Sequence, residues 1–465
     1  MSFTKKHISK NRSGAVLIVS LIFVLIFSAL AVSMAALSGN NVELSDNQRK
    51  VNSALAAAQS GLKVVRYYFS GITVPGTVSP ELRLSNVASQ LQNSLSAAGV
   101  SNTVISYDSG NKMISSSSVS LNSQENQTFS TSLSYGADYD TVVIDVTGSS
   151  GEFSRQVRAT FNFVTIGNGV FDYGVATKGP LHMTGQAEIE GTSLAIEGSV
   201  YIEGDNATGD AFSISNNASV AGDVTIANEY ATYTTGNKSS VGGATGDEIG
   251  DHIHVGTDYV DFPTPDAEYF RSFATGGVIN DNQDWDNDSV LNNMIISANT
   301  NPTFAGDVII NGILFVEMPN VVKFAGKSVV NGMIVASGDI TDNSGTNSIY
   351  FDGQVQGNDA SALEGAQFDA IKQETGTFIL APGFGLGFSG QSLNMNGAIA
   401  GNGVTISGQA TGNVNGSIIN YSPEPMTMTG NTTLTFNRSG IETNPAGFVS
   451  NKQLAFVPAS YSEVH

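Results

Sequence analysis

"FAGDVIINGILFV" (304–316) and, twenty residues on, "FAGKSVVNGMIVA" (324–336) decide how most of this chain must fold. Both begin Phe-Ala-Gly, pass through an apolar alternation to an Asn-Gly pair, and end on an apolar run. "FSGQSLNMNGAIA" (388–400) repeats the pattern with one insertion, and "ATGNVNGSIIN" (410–420) echoes its end. Upstream, "MTGQAEIEG" (183–191) aligns with "ISNNASVAG" (214–222) at an offset of 31. A unit this short cannot bury its apolar face alone, whereas stacked copies close a continuous core. Val308, Ile310, Leu314 and Val316, with their counterparts Val330 and Ile334, are expected to point into that core. Gly and Asn permit left-handed backbone at the corners, and Asn residues at equivalent corners can stack as ladders between coils. The reading is a mainly β chain with a right-handed parallel β-solenoid (β-helix) over 167–445, its rungs unequal in length. A β-sandwich with coincidental repeats is the alternative.

The texture before residue 167 is different. "PELRLSNVASQLQNSLSAA" (80–98) sets Leu84, Val87, Leu91 and Leu95 on one helix face, with Gly99 as the stop. "TVISYD", "KMISSSSVSL", "TFSTSLSY", "DTVVIDVTG" and "QVRATFNFVT" follow between 103 and 165, each β-rich and separated by Gly, Asn or Asp turns. The expected organisation is a basic leader at 1–14, an apolar helix at 15–37, a helical stalk with a small α+β head at 38–165, the solenoid, and a C-terminal tail at 446–465.

The leader and apolar helix lie within "KNRSGAVLIVSLIFVLIFSALAVSMAALSG" (10–39). From Ala15 to Leu37 no residue is charged, and Ser20, Ser28 and Ser33 are the polar exceptions. At about 1.5 Å per residue this run crosses a bilayer of about 30 Å as one helix. Lys5, Lys6, Lys10 and Arg12 before it, and Glu43 and Asp46 after it, favour a cytoplasmic N-terminus. A cleavable secretory signal usually has an apolar region of roughly 7–15 residues. The run here is longer, and Ser33-Met34-Ala35 is only a fair match to a signal-peptidase site. Beyond it, Val42, Leu55, Ala58, Leu62 and Val65 recur at helical spacing, with Ser38-Gly39-Asn40 as a local weak point.

Basic leader, Gly14, Ala15, uncharged helix and then "ALAAAQSGL" (54–62) together resemble the N-terminal region of type IV pilus-assembly proteins of the PilX type. The region is also similar to the K-type minor pseudopilin of type II secretion. The resemblance implies cleavage by a prepilin peptidase after Gly14, a mature N-terminus at Ala15, and packing of the helix among other pilin or pseudopilin subunits. Residues 38–165 then look like a pilin-type head. Major pilins keep Glu at the fifth mature position, which here is Val19; the departure implies a minor subunit, or one that does not polymerise. A plain single-pass anchor is the competing reading. "GVFDYGVATKGPLHMTGQAEIEG", "DFPTPDAEYF", "GTFILAPGFGLGFSG" and "GSIINYSPEP" also resemble bacterial envelope proteins that join a PilX-like N-terminus to a Gly/Asn-rich solenoid, with no reaction implied. The expected setting is the bacterial inner membrane, with the bulk of the chain outside the cytoplasm or in a surface filament.

Composition narrows the chemistry. Forty-one Asp and Glu against twenty Lys and Arg give a net charge of −21, which repels phosphate backbones and argues against a nucleic-acid partner. Charged residues are 13%, Gly numbers 51 and Cys is absent, so the surface is polar and turn-rich and no disulfide or thiolate site exists. A polysaccharide lyase or hydrolase built on a solenoid needs cations and acids gathered at a groove. After Gly167 the cations Lys178, Lys238, Arg271, Lys323, Lys327, Lys372, Arg438 and Lys452 are scattered, and acid pairs such as Asp258 and Asp261 arise freely. No enzyme is expected. A surface adhesin taking glycans through the solenoid is the alternative, with Tyr67, Tyr68, Phe69, Tyr259, Phe262, Tyr269 and Phe270 as candidate aromatics that more often pack under loops. "DHIHVGTD" (251–258) sets His252 and His254 beside Asp251 and Asp258, either as metal ligands or as a solvated loop. "NDNQDWDND" (280–288) alternates Asp281, Asp284, Asp286 and Asp288 around Trp285, a spacing that suits Ca²⁺. Ser289 in place of Gly and Ile295 in place of an acid depart from an EF-hand loop. No other cofactor is expected.

Overall fold

The computed structural model describes residues 13–100, 103–124, 126–204, 209–280, 284–285, 287–342, 345–439 and 444–464. Two compact units divide the chain. One is the chain up to Val74 with Val78–Val164 and the segment from Gln453 on; the other is Pro75–Thr77 with Thr165–Lys452.

In the first unit, helix α1 (Ser13–Ser70) has 58 residues, about 87 Å at helical rise. It runs unbroken through Ser38-Gly39-Asn40, because one Gly costs a helix only about 1 kcal/mol. Its C-terminal half lies on an antiparallel sheet and buries Ala54, Ala57, Ala58, Leu62, Val65 and Phe69. Val42, expected on the same stripe, is exposed, because the packed face begins only near Ala54. Helix α2 (Arg83–Ala97) buries Leu84, Val87, Leu91 and Leu95, and Gly99 ends it at φ +74°. The strands Gln127–Tyr135, Thr141–Ser150 and Phe153–Thr165 are the long members of the eight-stranded sheet.

The expected tail at 446–465 is overturned. Lys452–Val464 is a strand of this sheet, next to Phe153–Thr165. Leu454 is buried and the Phe456 ring packs 5.3 Å from Phe161, beneath the Arg66 guanidinium. The second unit is therefore inserted, in chain order, between two neighbouring strands of the first.

The second unit is a parallel solenoid with three faces per coil. One face is a ten-stranded parallel sheet, and the other two belong to a larger sheet whose ladders are parallel apart from one short hairpin. The offsets legible in the repeats are the registers of the ladders. Val308–Val316 pairs with Ser328–Ala336 residue for residue at an offset of 20, and Ile189 faces Val220 at 31. Val308, Ile310, Leu314, Val316, Val330 and Ile334 all lie in one buried cluster that fills the bore. At the corner between Asn311 and Ile313 the chain turns from one face to the next, with Gly312 at φ +80°.

Two ladders run along the stack. The rings of Phe304, Phe324, Phe351 and Phe388 stack at 5.0, 5.0 and 5.3 Å inside the core. Asn311 donates to Asn292, Asn331 to Asn311 and Asn358 to Asn331, at 2.9, 2.8 and 2.8 Å. Asn331→Ala removes two of these bonds, each worth about 0.5–1.5 kcal/mol net. The expected cost is about 1–3 kcal/mol, read as a lower midpoint in thermal denaturation; an unchanged midpoint would show that the ladder carries no weight.

Coil order is not chain order. Leu181–Gly185, in the first coil, pairs with Asp210–Ile214 on one side and with Met426–Gly430, in the last coil, on the other. The chain enters inside the stack, builds outward as far as Ile253–Val255, and resumes at the opposite end with Gly277–Ile279. Ten strand spacings separate these two strands, roughly 48 Å. The 21 residues between them reach about 70 Å when extended, so they can span the gap only if much of the segment is extended. Pro263 and Pro265 suit that conformation. Glu268–Phe273 within the segment forms a short 3₁₀ turn.

The crossing segment covers an outer face of the solenoid. Phe262, Ala267, Phe270 and Ala274 pack with Ile313, Phe315, Met333, Val335, Leu380 and Ile419 in a second buried cluster. This explains why strand Val308–Val316 alternates in its first half and is wholly buried in its second. The Tyr421 hydroxyl donates to the Pro263 carbonyl at 2.6 Å, and the Val260 N–H donates to the Tyr201 hydroxyl at 2.9 Å. Burial pushes the Tyr201 phenol up to about 12.

Candidate functional site

The N-terminal half of α1 is the part of the molecule whose chemistry its own fold leaves unsatisfied. From Val16 to Leu44 every large apolar side chain, Val19 among them at 50% exposure, is exposed. The helix is long and apolar enough to cross a membrane. Each large side chain kept in water forfeits about 1.5–3 kcal/mol of burial, so the segment requires an apolar surrounding. Gly14 and Ala15 lie within the first turn of the helix. At the far end small residues let the stalk approach its sheet closely: a Cβ on Gly148 would stand 2.2 Å from both the Ala54 carbonyl oxygen and the Ala58 nitrogen.

The other sequence candidates fall apart in space or outside the described residues. Asp281 and Asp286 lie outside them; Asp284 is in the strand Asp284–Trp285, and Asp288 accepts the Asp307 N–H at 3.2 Å. Among the described residues no group of three His, Asp or Glu side chains is placed to hold a metal ion. His252 and His254 do converge, on a residue the sequence reading missed: Asp223, at 2.8 and 3.3 Å. Burial opposes ionisation of Asp223, but the hydrogen bonds from the two imidazoles outweigh it and hold the carboxyl below its usual range. Val224 pairs with Ile253, so Asp223 stands one coil from the histidines, and the coil offset is the signal that would have found it. Of the candidate aromatics, Phe69 and Phe270 are buried and Phe262, in the crossing segment, packs onto the outer face of the solenoid, while Tyr67, Tyr259 and Tyr269 are exposed.

Residues 13–63 match the family described as PilX N-terminal. No curated protein matches the chain. Among solved structures, the competence-associated pilin ComZ from Thermus thermophilus is similar at 14% identity, over 89% of this chain and 97% of that one. Its TM-score is 0.22. Over residues 13–63, then, the chain is PilX-like, and the helix that its own fold leaves bare is the segment that carries the likeness.

Proposed function

We infer that the protein is a pilin-like structural subunit of a type IV pilus or of a type II secretion pseudopilus. In this reading residues 15–37 sit in the bacterial inner membrane with the N-terminus cytoplasmic. A prepilin peptidase cuts between Gly14 and Ala15, and the freed helix then packs against neighbouring subunits. The observation that carries the reading is the division of α1: buried against its own sheet from Ala54 on, bare from Val16 to Leu44. A stalk of that kind has one half committed to its own fold and the other reserved for a membrane or for like helices. The match of residues 13–63 to the PilX N-terminal family supports the same assignment. Val19 offers no carboxylate to a neighbour's N-terminal amine, which suits a minor subunit. The role is structural, and the solenoid is the part displayed outside the cell.

Mass spectrometry of the protein from native envelopes tests this. The expected mature N-terminus is Ala15, and Gly14→Val is expected to leave the leader attached. Intact Met1 in the wild-type protein would reduce it to a tethered solenoid, and a start at Ala36 would make it a secreted one.

A further inference from the structure

The ten-stranded face of the solenoid carries a groove of about 260 Å³ on its outer side. Its floor is the strand Gly385–Phe388, whose Leu386 and Phe388 point into the bore, so Gly385 and Gly387 face outward. The Tyr350 ring lies over Gly387: a Cβ there would be 2.4 Å from it. Gly385 has no such excuse. Its φ is not positive, and the nearest atom to an added Cβ would be 3.7 Å away. Gly385 opens its strand, and the absence of a side chain there leaves open space on the outer surface of the sheet beside the Tyr350 ring. The rim holds Asp342 and Glu424.

Asn402 completes the wall. Its Nδ2 donates to the carbonyls of Asp342 and Ile340 at 2.9 and 3.3 Å, which fixes the amide. Its Oδ1 is buried without a hydrogen-bond partner. Among the described residues no Lys, Arg or His lines the groove; Lys323 pairs with Tyr350 on the adjoining strand.

We propose that this groove binds a neutral carbohydrate, with one sugar ring lying over Gly385 beside Tyr350. The ring's C–H face meets the half-exposed aromatic, and its hydroxyls donate to the carboxylates of Asp342 and Glu424. Two carboxylates on the rim, in a chain of charge −21, repel a uronic acid or a phosphorylated sugar. The volume suits one ring rather than a drug-sized ligand. The proposal does not depend on the filament reading.

The test is retention of the full chain, in detergent, on immobilised cello-, malto-, manno- and chito-oligosaccharides, with oligogalacturonate as the anionic control. Retention is expected on at least one neutral series. It is expected to fall at least tenfold in both Gly385→Leu and Tyr350→Ala, with the melting temperature of the second unchanged. No retention on any neutral series at millimolar ligand overturns the proposal. So does retention that both variants keep, or a preference for oligogalacturonate.

Discussion

Replacing Gly148 by Val is expected to unfold the first unit, at a cost of about 3 kcal/mol or more. Gly148 sits in the strand Thr141–Ser150, paired with Phe129 on one side and Arg155 on the other. The atoms an added Cβ would strike are the Ala54 oxygen, the Ala58 nitrogen and the Ala57 carbonyl carbon, at 2.2, 2.2 and 2.9 Å. These are helix backbone, which has no rotamer to change, so the stalk must lift from the sheet along Ala54, Ala57 and Ala58. Overpacking a core usually costs about 1–3 kcal/mol when side chains can shift; a clash against backbone belongs at or above the top of that range. Gly39→Ala is the matched control, since nothing lies within 4 Å of its Cβ. It is expected to stabilise α1 by up to about 1 kcal/mol. Thermal melts followed by circular dichroism, with proteolysis of the sheet strands as a second readout, separate the two. Equal behaviour of the variants would mean that the helix does not dock where Gly148 places it.

Phe351→Ala is expected to cost about 3–5 kcal/mol, the range for emptying a buried Phe site. Phe351 is fully buried between the rings of Phe324 and Phe388, so truncation opens a gap between two coils rather than at an edge. Each coil contacts chiefly the coils above and below it, so the damage stays local. Hydrogen exchange is expected to quicken in Val321–Phe324 and Gly385–Phe388, with Leu181–Gly185 little affected. The residue before it, Tyr350, points out of the same strand and is 40% exposed. Its Ala variant is expected to stay within about 0.5 kcal/mol of wild type. A tenfold difference in unfolding equilibrium in the reverse order would sink the assignment of inner and outer faces.

The faces themselves were legible in the residues. Period-two alternation on either side of an Asn-Gly pair identifies which side chains enter the bore, because a slip of one residue would turn them all outward. Likewise an uncharged run longer than a signal peptide's, continuing into Ala-rich helix, identifies a stalk with one bare half. Repeat offsets even carried the registers, as Val308 against Ser328 and Ile189 against Val220 confirm. The alternation failed where a second layer covers the sheet: Ile313 and Phe315 face away from the bore and are buried all the same.

What local pattern could not carry is long-range order. Similar coils attract any similar neighbour, so nothing in the repeats says that Met426–Gly430 returns to lie against Leu181–Gly185. That is decided by the 256–276 segment, whose aromatics find an apolar outer face only by running the length of the stack. Nor could a short polar-apolar stretch such as Lys452–Val464 announce itself as a sheet strand, since its partner lies some three hundred residues earlier in the chain. Sequence by itself determined the stalk, the coil and its inner face, because these rest on local periodicity. Tertiary structure alone decided the order of the coils, the partners of Asp223 and the groove over Gly385, because each depends on residues that only the closed stack brings together.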